Sequence, residues 1–148
     1  MLLPLIIALA ALQQPPPGNS NPVDEIHVDD RCRIFSQDRP NPSGAFNKPH
    51  FRADPAICFL KGDHQTSHWE QTVYDGVVKR TKVHVHERTY ILHNPTNQTV
   101  AFIVDWSLPH GWVIDSVPQP ISAENNMATF RVYARPNETV NLHIGARH

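Results

Sequence analysis

From Val73 onward the chain alternates apolar and polar residues with period two. In segment 99–106, Val100, Phe102, Val104 and Trp106 share one face while Thr99, Ala101, Ile103 and Asp105 share the other, the pattern of a strand packed on one side. Ala128, Phe130 and Val132 alternate with Thr129, Arg131 and Tyr133, and Val140, Leu142 and Ile144 alternate with Asn141 and His143. These predict two more strands. Arg135-Pro136-Asn137-Glu138 is a turn by composition, as is Asn94-Pro95-Thr96-Asn97-Gln98. An earlier strand lies within 77–93, where Val83 and Val85 share a face but Tyr90 and Leu92 have the opposite parity. Either the core face switches there, with a bulge expected near His86-Glu87-Arg88, or both faces are partly covered. Gly111-Trp112-Val113-Ile114 adds a short strand after the turn at Leu108-Pro109-His110-Gly111. No helical period competes, so the prediction is an all-β protein, an immunoglobulin-like antiparallel β-sandwich over 71–148.

Segment 24–70 reads differently. Within it, Pro40, Pro42, Pro49 and Pro55 fall in 31–63, which disfavours a helix or a central strand over that stretch. It is expected to be irregular and loop-rich, with short strands at Cys32-Arg33-Ile34-Phe35 and Ala56-Ile57-Cys58-Phe59-Leu60. The apolar run 1–12, MLLPLIIALAAL, is too short to span a bilayer but has the length of a signal-peptide core, with Ala8-Leu9-Ala10 as a small-x-small cleavage site and cleavage expected near 10–13. Residues 13–23, QQPPPGNSNPV, then read as a disordered linker. The expected location is therefore exported, periplasmic or extracellular, with no integral membrane segment after the leader. In that compartment the only two cysteines, Cys32 and Cys58, are expected to form a disulfide. It would close a loop of about 27 residues and stabilise the fold by roughly 3 to 4 kcal/mol.

Charge narrows the classes of partner. A formal net charge of −1 and a pI near 6.8 supply no field to attract nucleic acid. Ten histidines against 13 Lys and Arg mean that acidification would drive the net charge positive. Lys79-Arg80-Thr81-Lys82 is the one basic cluster, opposed by the acidic stretch 24–30. Each reads most simply as a solvated segment; pairing across an interface between neighbouring molecules is the alternative, but exposed ion pairs contribute only about 0 to 1 kcal/mol each, so charge alone would not hold an assembly together.

Candidate chemistry is sparse. His84 and His86 stand two apart on a strand and so share a face, with Val83 and Val85 on the opposite, buried face. With His93 or His143 they could bind zinc or copper if the ring nitrogens converged. His64 and His68 would pair only on a helix and lack the H-E-x-x-H pattern, so a loop is expected there. None of the serines sits in a G-x-S-x-G elbow, no carboxylate pair is marked for acid/base work, and no glycine-rich phosphate loop occurs. No catalytic or cofactor-binding residue is assigned. Trp69, Trp106 and Trp112 could stack on carbohydrate if exposed, but Trp106 has core parity and is assigned to packing.

Segment 88–144 resembles the C-terminal β module of the mucoidy-inhibitor-like family of exported bacterial proteins. The matching phrases are Arg88-Thr89-Tyr90-Ile91-Leu92-His93-Asn94, Val104-Asp105-Trp106-Ser107-Leu108-Pro109-His110-Gly111-Trp112, Thr129-Phe130-Arg131-Val132 and Glu138-Thr139-Val140. The resemblance implies a bacterial envelope setting and an accessory β-sandwich, and transfers no catalytic residue. The long helical hairpin expected upstream in that family is missing from this chain. The expected function is an exported, non-enzymatic module that is structural or binds a protein, by a separate partner or self-assembly; the alternative is a zinc- or copper-binding module built on His84 and His86.

Overall fold

The structure, a computed structural model, describes residues 23–36 and 50–148. The expected signal peptide, the linker up to Asn21-Pro22, and Pro40, Pro42 and Pro49 lie outside the described residues. The described chain is all-β, with ten strands in two sheets packed as a sandwich. In chain order they are β1 (Asp24–Val28), β2 (Arg33–Ser36), β3 (His50–Ala53), β4 (Cys58–Tyr74), β5 (Val77–His93), β6 (Val100–Ser107), β7 (Val113–Ile114), β8 (Ser122–Glu124), β9 (Met127–Ala134) and β10 (Thr139–Arg147). One sheet runs β3-β2-β1-β6-β9-β8 and the other β4-β5-β10-β7. All the described strand pairs are antiparallel except β1 with β6, where Asp24 to Val28 lie beside Val100 to Val104 in parallel register.

The core follows the alternation. Phe102, Val104 and Trp106 of β6 and Phe130 and Val132 of β9 are fully buried against Tyr90 and Leu92 of β5 and Leu142 and Ile144 of β10. Val28 of β1 and Ile34 of β2 join the same core. The described part of 24–70 is therefore not a loop-rich appendage: β1 to β3 belong to the larger sheet, and β4 edges the smaller one. The expected Cys32–Cys58 disulfide is present, with a Cα separation of 5.5 Å. It joins the β1–β2 loop to the first residue of β4 and so ties the two sheets together.

The parity conflict in β5 resolves without a bulge in that strand. Register with β10 is unbroken from His93 opposite Thr139 to Val85 opposite Arg147. The irregularity falls in β4 instead, between Leu60 and Gly62, so that both faces of β5 are partly covered. Tyr90 and Leu92 face the other sheet, and His84, His86 and Arg88 share their parity. Val83 is nonetheless buried on the opposite face.

Candidate functional site

The smaller sheet reaches beyond the sandwich. Strand β5 is flanked by β10 only up to the reciprocal backbone bonds between His84 and His148, at 2.9 and 3.0 Å. From there to the turn it pairs with β4 alone, through His68 opposite Val83 to Tyr74 opposite Val77. The result is a two-stranded arm. Its turn is Asp75-Gly76, with φ of 51° and 75°, the left-handed pair that a two-residue hairpin of type I′ requires and that Asp-Gly favours. Segment 62–71, expected as a loop, is strand in the structure.

The arm is apolar where solvent is most open. Tyr74 is 85 % exposed, and Val73, Val77, Val78 and Trp69 are each more than half exposed. The guanidinium of Arg80 lies over the Trp69 ring, 5.3 Å from its centroid, a cation–π contact across the strand pair. On the other face Glu70 accepts from Arg147 at 2.7 Å and contacts His68 at 3.1 Å, fastening the root of the arm to β10.

At that root the inward face carries a polar cluster. Arg88 donates through Nη1 to the Asp30 carbonyl at 2.5 Å, and the Tyr90 hydroxyl donates to the same carbonyl at 2.9 Å. One loop of the larger sheet is thereby bonded to β5, beside the disulfide. The His86 ring bonds the Asp63 carboxylate through Nε2 and meets the Trp106 ring edge-on at 5.1 Å. Arg88 Nε stands 3.3 Å from Asp63 Oδ1 but out of line for a hydrogen bond, so that contact is an ion pair. Partial burial pushes the Asp63 carboxyl up, but the bond from His86 and the Arg88 charge outweigh it and hold the group below its ordinary value. Burial also pushes the Tyr90 phenol up, against the pull of Arg88.

His84 and His86 do share a face, as the spacing requires, but it is the inward one. His93 and His143 have the opposite parity and bond Thr139 at 2.9 Å and Thr89 at 3.0 Å on the far side of the sheet, so they do not join the pair. His64 and His68 also lie on that far side, opposite Glu87 and Val83. Among the described residues no group of three or more His, Cys, Asp or Glu side chains is placed to hold a metal ion. Two clefts flank the root, of about 230 and 220 Å³, both bordered by Gln65 and Trp112. Each is below the roughly 300 Å³ at which small-molecule pockets begin. Trp112 is stacked on His148 at 5.8 Å, and Trp106 is buried as its parity implies. Chemically, Asp63 can orient the His86 ring, yet among the described residues no hydroxyl or thiol bonds that ring. No family model, curated protein or solved structure matches this chain.

The arm is the feature the sequence reading missed. Its signal was Asp75-Gly76 between Val73-Tyr74 and Val77-Val78, which is among the strongest short hairpin signatures a sequence can carry.

Proposed function

We propose that this chain is an exported, non-enzymatic β-sandwich module that binds a protein partner in a bacterial cell envelope, and that the β4–β5 arm does the binding. The observation that carries the reading is the arm itself, whose Val73, Tyr74, Val77 and Val78 stand exposed beyond the sandwich. An isolated two-stranded hairpin is marginal in water, and clustered exposed apolar side chains mark interaction surfaces. Export is supported by the apolar run 1–12 and agrees with the Cys32–Cys58 disulfide. No helix among the described residues is long and apolar enough to cross a membrane. The bacterial setting rests on the resemblance of segment 88–144 to the mucoidy-inhibitor-like β module.

Photo-crosslinking in the host cell tests this directly. A photoreactive residue replacing Tyr74 should give a discrete protein adduct, whereas one replacing Asn97, exposed on a sandwich turn, should not. Adducts of equal yield from both positions, or from neither, would remove the arm as the binding element.

A further inference from the structure

Strand β4 ends the order of the smaller sheet, so one edge of the arm is β4 and the other is the unflanked part of β5. Which backbone groups these edges present follows from one contact. His84 exchanges both its backbone bonds with His148, on the side away from β4. In an antiparallel ladder bonded and non-bonded pairs alternate, so His84 opposite Ser67 is a non-bonded pair of the arm. The pairs of Lys82 with Trp69, Arg80 with Gln71 and Val78 with Val73 are then non-bonded too. Trp69, Gln71 and Val73 therefore aim their N–H and C=O groups outward from β4, while Val78, Arg80 and Lys82 do so from β5.

The two edges are guarded very differently. Charged side chains, proline and bulges are the usual means by which an edge strand avoids pairing with another chain. The β5 edge carries Lys79, Arg80 and Lys82 within four residues, and two such edges side by side would bring six cations together. The β4 edge has its bulge at the root, between Leu60 and Gly62. From His64 to Tyr74 it contains no proline, lysine or arginine.

We infer that the β4 edge of the arm pairs antiparallel with the same edge of a second copy of this chain, centred on Gln71. This deepens the binding role proposed for the arm and rests on it. A twofold axis at Gln71 sets Trp69 opposite the partner's Val73, Glu70 opposite the partner's Thr72 and His68 opposite the partner's Tyr74. The outward groups of Trp69, Gln71 and Val73 then meet their counterparts in about six backbone hydrogen bonds. The apolar pair of Trp69 with the partner's Val73 occurs twice on one face, on either side of the paired glutamines. No like charges stand directly opposite, and the one anion, Glu70, is already matched by Arg147 at 2.7 Å. Pairing like with like closes the interface at two copies.

The mass of the chain as processed in its host, measured by light scattering, should be that of a dimer at high micromolar concentration. Gln71→Pro removes an outward donor without breaking a bond to β5 and should give a monomer with an unchanged near-ultraviolet circular dichroism spectrum. Val78→Pro makes the equivalent change on the other edge and should leave the dimer intact. In the otherwise native dimer, Gln71→Cys should form an intermolecular disulfide on mild oxidation, since paired Cα atoms about 5.5 Å apart suit that bond. A dimer that survives Gln71→Pro, or one that forms no crosslink through Gln71→Cys, overturns the pairing. A monomeric chain whose Tyr74 position still crosslinks to another protein overturns self-pairing and leaves the arm as a binding element; a monomer without adducts overturns both.

Discussion

At the level of single residues, Asn94 is the side chain with the most to lose. It is fully buried, and its amide donates to the Gln98, Ala134 and Arg135 carbonyls at 2.7, 3.1 and 2.9 Å while its oxygen accepts from Thr96 N and Oγ1. Two turns are held by one amide. Asn94→Ala removes all five bonds and leaves the buried Ala134 carbonyl without its side-chain donor, and should lower the unfolding free energy by about 2 kcal/mol in urea titration. Asp63 is a different case, because its contribution depends on pH. Its carboxyl titrates below the ordinary value near 3.9 once folded. The stability it supplies is therefore present above that ordinary value and lost as pH falls through the lower, folded value. Asp63→Asn should be less stable than the native chain at neutral pH, and the gap between the two should close as unfolding is repeated at successively lower pH below about 4. A gap that stays constant would mean that His86 and Arg88 do not act on the carboxylate.

Among the elements, the disulfide and the arm have opposite relations to the core. Cys32 and Cys58 are both buried and 26 residues apart in sequence, so replacing both by alanine frees a long loop in the unfolded chain and should lower stability by about 3.5 kcal/mol. The change should appear as a lower urea midpoint with the Asp30 bonds to Arg88 and Tyr90 weakened beside it. What could be read in advance divides along the same line. Strands β6, β9 and β10 were legible because each buries one face, and burial on one face is what imposes period two on a sequence. The pairing of Cys32 with Cys58 was legible from their number and from the compartment the apolar run 1–12 led one to expect. Strand β4 between Asp63 and Thr72 was not, since neither face is buried there and Gln65, Thr66, Ser67 and Gln71 alternate with nothing apolar. The inward position of His84 and His86 was hidden for a related reason. Val83 is buried on the outer face, and it made that face look like the core side of β5.

For the molecule as a whole, the sandwich carries the core, and on the reading proposed above binding is left to the arm, a separate part of the same chain. The hydrophobic core draws on β1, β2, β5, β6, β9 and β10, with Cys58 from the first position of β4, and takes no residue between Leu60 and Tyr90. The outer arm can therefore be removed without opening that core. His68 opposite Val83 has the same parity as Tyr74 opposite Val77, so Asn-Gly can replace residues 69–82 and close a shorter hairpin with the same turn geometry. The loss includes the exposed Glu70–Arg147 ion pair, which is worth only about 0 to 1 kcal/mol. The shortened chain should keep a cooperative unfolding transition with a midpoint a few degrees from that of the native chain, while running as a monomer. Loss of cooperative folding would mean that the arm is structural after all, and that its exposed valines and Tyr74 serve the sandwich rather than a second chain.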